Sequence, residues 1–269
     1  MGALRLTKAI ETGPFLLPEV PPELTYLSFS SVQGRVTSIS HPMINVVGAA
    51  TLSANNADTT IRRVRNLFAQ NNTSFSWRVG PNSTPKDLDQ RLIVAGLVPQ
   101  QILAGMALTN LNVSVPASPP VDIREPEPQD IEAVKNIIEH GYPTPTQWAR
   151  ILSRSVLQER KPGEADVRVY LAFVKESESP VAIGTSFFFP DEPVVMLGGA
   201  ATLEEFRGRG IYTRLVAHRL EKARKEGAEA AVIQAVRTTS AAILEKIGFI
   251  EVCSLEVYHW YPDHDGKKA

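Results

Sequence analysis

A single cysteine, Cys253, serves a chain of 269 residues. It leaves no partner for an internal disulfide and excludes a metal cluster built on several thiolates. Long apolar runs are also missing. No stretch reaches the ~18 apolar residues that a membrane-spanning helix needs. The opening MGALRLTKAIETGPFLLPEV has no long apolar core and carries an early proline, so no signal peptide is expected and the reading is a soluble, cytoplasmic protein. An excess of one charge is lacking too: 28 Lys and Arg stand against 29 Asp and Glu, for a net charge of −1. Bulk attraction to nucleic acid or to an anionic membrane is therefore not expected, and neither is counted as a partner. Histidines are few, and His41, His259 and His264 show no ligand spacing with carboxylates, so no metal is expected.

What is present is ordinary for a soluble globular protein: 43% hydrophobic and 21% charged residues, in a chain long enough for two domains. Residues 1–24 are proline-rich and read as an irregular arm. YLSFSSV, RVTSIS and NVVGAATLS alternate or run apolar as strands do. Asp58 is a candidate cap for a helix with Ile61, Val64, Leu67 and Phe68 on one face. FSWRV reads as a strand, Thr84-Pro85 as the start of a helix, and GMALTNLNVSV as another strand. The proline-rich segment Val115 to Gln129 is the natural linker and places a domain boundary near Ser118, giving domains 1–118 and 119–269. Beyond it the pattern predicts two helices (after Asp130, and from Trp148 to Arg160), three strands ending at Val194 to Thr202, a helix from Ile211 to Glu226, and a buried strand AEAAVIQAV. A short helix from Ser240 and a last strand to Trp260 follow. On the helix from Ile211, the residues Ile211, Leu215, Val216 and Leu220 are assigned to the core. Arg214, Arg219, Glu221, Lys222 and Lys225 are assigned to solvent. The fold class is α+β, an α/β mixed sheet flanked by helices, preceded by a smaller α/β domain.

The most informative stretch is Val194 to Arg224. An apolar strand runs into Gly198-Gly199-Ala200-Ala201, then an acidic pair, then Arg207-Gly208-Arg209-Gly210 and an amphipathic helix. A glycine-rich turn between strand and helix is an anion site, because the first-turn N–H groups lack intrahelical partners and the helix dipole is positive there. The Gly-x-x-x-x-Gly-Lys-Ser/Thr loop of nucleoside triphosphate enzymes is absent. The dinucleotide pattern Gly-x-Gly-x-x-Gly is met at Gly208 and Gly210 but broken by Thr213. What remains is Arg-Gly-x-Gly at a strand–helix junction, or a plain surface turn with solvated arginines.

Glu205-Phe206-Arg207-Gly208-Arg209-Gly210-Ile211, together with Ile243-Leu244-Glu245-Lys246-Ile247-Gly248-Phe249 downstream, resembles the GNAT superfamily of acyl-CoA N-acyltransferases over residues 120–260. The resemblance implies a mixed sheet that splays open, with acetyl-CoA or another acyl-CoA lying in the gap and an amine of a small molecule or peptide as acceptor. It implies cofactor contacts from Arg207, Gly208, Arg209, Gly210, Ile211 and Tyr212, and main-chain contacts to the thioester carbonyl from Ala200, Ala201 and Thr202. Ser240 is included as a further cofactor contact. The N-terminal segments around His41-Pro42-Met43-Ile44-Asn45, Phe75–Pro81 and Gly105-Met106-Ala107 resemble the leading half of tandem GNAT proteins, with no Arg-x-x-Gly-x-Gly motif. That half is read as a degenerate repeat without cofactor, and the molecule as a monomer or homodimer.

Two positions depart from the family pattern. Tyr212 stands where a last small residue belongs. Leu244 stands where the family often has a tyrosine acid, and leucine carries no proton to give. Arg237 replaces a usual asparagine and either contacts the cofactor or is a solvated strand end. Tyr258 and His140 are the candidates for the missing acid–base work, while Tyr142 and Trp148 are read as pocket walls or core. The four small residues from Gly198 to Ala201 either leave room for an acyl chain longer than acetyl or simply let strands splay.

Overall fold

The computed structural model describes residues 2–115, 120–158 and 165–262; Ser118, Arg160 and His264 lie outside these. Eleven strands form one sheet in the order β1-β2-β3-β4-β11-β5-β10-β9-β8-β7-β6. The first half of the chain supplies β1 (Leu24–Tyr26), β2 (Gln33–Thr37), β3 (Val46–Gly48), β4 (Phe75–Val79) and β5 (Val98–Leu108). The second supplies β6 (Asp122–Arg124), β7 (Asp166–Phe173), β8 (Ala182–Phe188), β9 (Val194–Thr202), β10 (Ala230–Val236) and β11 (Ile250–Trp260). Neighbours are antiparallel except β3 with β4 and β9 with β10.

The two halves repeat one plan. Each has an antiparallel run whose last strand (the third in the first half, the fourth in the second) is followed by a helix and then a strand parallel to it: β3-α2-β4 with α2 at Ala57–Gln70, and β9-α6-β10 with α6 at Ile211–Lys225. Each then adds a short helix, α3 (Leu88–Val94) or α7 (Ala242–Ile247), and a long last strand. Those last strands are exchanged. β11 lies between β4 and β5, while β5 pairs with β10.

Apolar spacing explains the helices that cover the sheet. On α4 (Ile131–Gly141), Val134, Ile137 and Ile138 are buried; α5 (Thr146–Leu157) buries Trp148, Ile151 and Val156 in the same cluster. Helix α6 buries Leu215 and Val216, with Leu220 one turn on, and Ala223 continues the stripe. Its exposed Glu221 pairs with Lys225 at 2.7 Å, as the i,i+4 spacing predicts.

Some expectations fail for local reasons. The proline-rich arm contains a helix, α1 (Ala3–Thr12), because its prolines begin only at Pro14 and Leu6, Ala9 and Ile10 form a buried stripe. The cap of α2 is Asn56, not Asp58; Asp58 sits in the first turn and pairs with Arg91 at 2.9 Å. Thr84-Pro85 does not open α3, which starts at Leu88 after Asp87. Helix α7 starts at Ala242, after a π-helical turn over Arg237–Ala241 that includes Ser240. Arg219, assigned to solvent by its charge, is fully buried.

Candidate functional site

Parallel strands β9 and β10 stay paired for three residues: Val194 with Ala230, Val195 with Ala231, Met196 with Val232. Beyond that, β10 continues to Val236 against β5, and β9 continues to Thr202 against β8. The strands part, leaving a gap between Leu197–Thr202 and Ile233–Val236. Strand β9 also bulges there. Its register with β8 shifts between Ile183 and Thr185, and Gly199 takes φ 50°. A bulge with left-handed backbone explains why glycine stands at this position.

The turn that follows β9 is built for an anion. A short 3-10 turn over Glu204–Phe206 leads to Arg207. Gly208 has φ 74° and Gly210, the N-cap of α6, has φ 78°. Nothing lies within 4 Å of where a Cβ on Gly208 would stand, so conformation, not crowding, demands glycine there. No side chain caps the first turn of α6, which leaves its N–H groups and positive dipole end to a ligand. Arg207 Nε donates to the Thr202 carbonyl at 3.0 Å, tying the turn to the end of β9. Arg209 Nη2 donates to the Glu205 carbonyl at 2.9 Å, and its guanidinium lies 5.1 Å from the Phe206 ring centre. Both arginines are exposed, so they brace the turn and still present charge at the surface. Ile211 is buried. Tyr212 is half-buried, and burial raises its hydroxyl pKa, which keeps it protonated.

The structure brings Ala200, Ala201 and Thr202 to the end of β9, beside this turn. Ala201 touches helix α4: a Cβ on Gly141 would stand 2.6 Å from the Ala201 Cβ. His140 therefore lies one residue from a direct contact with β9. It is exposed, and its Nδ1 lies 2.9 Å from the Asn136 carbonyl; with Nδ1–H donating there, Nε2 is the nitrogen left to accept a proton. Arg237 is held on β11 by Glu251 (Nη1 to Oε2, 2.7 Å) and by Ser254 at 2.9 Å. Ser240 Oγ accepts the Val236 N–H at 3.0 Å. Tyr258 is placed elsewhere. Its ring belongs to the N-terminal apolar cluster with Trp77 and Trp260, and its hydroxyl donates to Glu256. That placement, reached because β11 crosses into the first half of the sheet, speaks against an acid role beside Gly210. Leu244 is fully buried core.

Sequence reasoning missed how the bulge is supported. Arg219 reaches the bulge from α6, and the Tyr142 hydroxyl reaches it from the end of α4, 3.7 Å from where a Cβ on Gly199 would stand. Burial pushes the Tyr142 pKa well above the ordinary phenol value. The small residues of β9 do not leave a void. A Cβ on Gly198 would meet the Phe187 ring at 2.9 Å, and one on Gly199 would meet Thr185 Oγ1 at 3.0 Å. The N-terminal half contributes Arg78, whose Nη1 donates to Gln234 on the splayed part of β10; Gln234 in turn donates to the Ile10 carbonyl at 2.7 Å. A cavity of about 530 Å³ between α1, β1, β2 and the β8–β9 turn opens near Asp191 and Glu192. It lies at the other end of β9 from Gly208 and takes no part in this arrangement.

Among the described residues, the first half shows no equivalent opening. Past β3, Thr84 N–H donates to the Ala50 carbonyl at 3.0 Å, Leu52 N–H donates to the Thr84 carbonyl at 3.2 Å, and Thr84 Oγ1 donates to the Leu52 carbonyl at 2.9 Å. The strand end that would face a gap is zipped to the Thr84 segment. Among the described residues no group of three or more His, Cys, Asp or Glu is placed to hold a metal, and no helix is long and apolar enough to cross a membrane.

Residues 131–249 match the family model described as acetyltransferase (GNAT) family. Among solved structures, a GCN5-related N-acetyltransferase from Kribbella flavida aligns over 88% of this chain and 89% of its own, with a TM-score of 0.65 at 18% identity. A tandem GNAT protein from the clavulanic acid biosynthesis pathway aligns over 99% and 96%, with a TM-score of 0.60 at 12% identity. A GCN5-related N-acetyltransferase from Sphaerobacter thermophilus aligns over 86% and 81%, with a TM-score of 0.60 at 14% identity. At these identities the likeness is one of fold. No curated protein sequence matches the chain.

Proposed function

Since residues 131–249 form an acetyltransferase (GNAT) family domain within a tandem GNAT fold, we propose that the protein is an acyl-CoA-dependent N-acyltransferase acting on a primary amine. The observation that carries this reading is the parting of β9 and β10 after Met196 and Val232, with the Gly208–Gly210 turn at the open end. The turn from Arg207 to Tyr212 fits a pyrophosphate: two left-handed glycines, uncapped N–H groups and two surface guanidinium groups. Acyl-CoA, when bound, supplies the thioester carbon that the amine attacks.

The chain's own residues then have separable tasks. The main chain of β9 from the Gly199 bulge through Ala200 to Thr202 borders the gap and, in this reading, supplies the donors for the thioester carbonyl. Gly141 against Ala201 fixes the acceptor side, so that an amine is held near His140, whose Nε2 takes its proton. Arg78 from the first half, donating to Gln234 of β10, forms one wall of the site in this reading. Because Phe187 and Thr185 fill the space beside Gly198 and Gly199, a short acyl group such as acetyl fits this site better than a long chain. Arg237, held by Glu251, braces the β10–β11 side of the site in this reading.

A second reading, an acyl-CoA-binding protein without turnover, is favoured by one observation: Leu244 is core, and no phenol stands in its place. Calorimetry with CoA, followed by free-thiol release from acetyl-CoA over a panel of amines, separates the two. Thiol release with at least one amine supports the transferase. CoA binding without release for any amine supports the binding protein. Absence of CoA binding overturns both. Replacing Arg207 and Arg209 together by Ala is expected to weaken CoA binding by roughly tenfold or more, from the loss of two charge-assisted phosphate contacts; unchanged affinity would show that the pyrophosphate lies elsewhere.

A further inference from the structure

Arg219 is 0% exposed on α6. Its Nη1 donates to two carbonyls, Thr185 on β8 at 3.1 Å and Gly198 on β9 at 3.3 Å, and its Nε reaches the Leu215 carbonyl at 3.4 Å. Nη2 is buried without a protein acceptor. Among the described residues no carboxylate pairs with it; the groups that bear on its charge are the phenols of Tyr212, Tyr142 and Tyr170. Space for it is made by Gly184, where a Cβ would stand 3.0 Å from both Cζ and Nε of the guanidinium. A buried cation without a counter-ion is costly, and only good hydrogen bonding offsets that cost.

The place of those hydrogen bonds is informative. Thr185 and Gly198 are the paired residues at the edge of the β8–β9 register break. The bulge takes neighbouring backbone groups out of the ladder, and Arg219 supplies a donor where the ladder is interrupted. A trans peptide is planar, with its C=O and N–H on opposite sides. With the Gly198 carbonyl drawn toward α6, the Gly199 N–H of the same peptide must point away from α6. A cation on the carbonyl also polarises that peptide and strengthens the N–H as a donor.

We propose that Arg219 is a positioning residue for acyl transfer: by clamping the Thr185 and Gly198 carbonyls it holds the β9 bulge and aims the Gly199 N–H at the oxygen of the reacting thioester. This rests on the acyltransferase reading, and the test separates the two. The ¹⁵N–¹H resonance of Gly199, in protein without ligand, reads the clamp without reference to activity. In Arg219→Gln that resonance is expected to move markedly while those of Gly208 and Gly210 stay in place. In the same variant kcat is expected to fall by roughly 100-fold, the lower end of the scale for losing one well-placed oxyanion donor. CoA affinity by calorimetry should stay within about twofold, because the pyrophosphate turn is untouched. Arg219→Lys, which keeps the charge and a single-point donor, is expected to recover part of kcat and to move the resonance less; it also carries the comparison if Arg219→Gln does not fold. An unmoved Gly199 resonance in a folded variant overturns the clamp. A moved resonance with unchanged kcat overturns the role in transfer. A parallel fall of kcat and CoA affinity overturns it in favour of general support. If the wild-type protein neither binds CoA nor releases thiol, the acyltransferase reading fails and with it the catalytic half of this proposal, while the resonance still decides whether Arg219 sets the bulge.

Discussion

Gly141, at the end of α4, lies so close to Ala201 on β9 that a single added methyl group would stand 2.6 Å from the Ala201 Cβ. No real pair of such carbons sits that close, so a side chain at 141 must push the helix end off the strand. Gly141→Ala is therefore expected to destabilise the fold by about 1–3 kcal/mol, the usual scale for overpacking. It is also expected to lower kcat/KM by about tenfold through displacement of His140 and Tyr142. Urea titration and steady-state kinetics check the two effects; wild-type kinetics in the variant would separate α4 from the reaction.

Gly208 and Gly210 offer a contrasting case. Gly208 faces open space, yet its φ of 74° disfavours any residue with a Cβ. Gly208→Ala should cost about 1–2 kcal/mol of local strain, expressed mainly as weaker CoA binding because the turn is exposed and can relax. Calorimetry together with thermal melting reads this directly: a large rise in Kd with little change in Tm is the expected pattern, and the reverse pattern would mark the turn as structural.

Acid stability has a specific contributor. Arg124 holds the Asp130 carboxyl below its ordinary pKa through a two-point contact (Nη1 to Oδ2, 2.6 Å; Nη2 to Oδ1, 3.1 Å), and the Glu127 N–H adds a further bond at 2.7 Å. A carboxyl with a depressed folded-state pKa contributes stability above its unfolded value, near ~3.9, and loses it as pH falls through the folded value. Asp130→Asn is accordingly expected to be less stable than wild type at pH 7, with the difference closing as pH drops through and below that range. Urea midpoints at pH 7, 5 and 3 measure it; a difference that persists unchanged at pH 3 would assign the effect to lost geometry instead of charge.

The strand–turn–helix part of the candidate site was legible in the sequence because it is local. Gly208 and Gly210 stand where the backbone turns left-handed, and the residues around them announce a strand before and a helix after. The acceptor side was not legible, since it depends on how separate elements meet. Arg219 shows the difficulty well. Its spacing from Leu215 and Val216 places it on the inward face of α6, but a charged side chain reads as solvent-facing until the partners are known. Those partners are main-chain carbonyls exposed by a bulge, and the room comes from Gly184, thirty-five positions earlier in the chain. The place of Tyr258 was hidden for a similar reason: the last strand belongs by sequence to the second half, yet it pairs with β4 and β5 of the first. Strand neighbours are a tertiary choice, and no local pattern encodes them.

The exchange of β5 and β11 constrains how the molecule is made. Strands β4 and β5 do not pair with each other; β11 is the piece that joins them. Strand β11, at Ile250–Trp260, is the last strand of the chain, so the sheet between β4 and β5 is complete only with that segment in place. Without β11, β4 offers an unsatisfied edge, so the first repeat depends on the second to complete its part of the sheet. Neither fragment released by cutting between β5 and β6 has a complete sheet of its own.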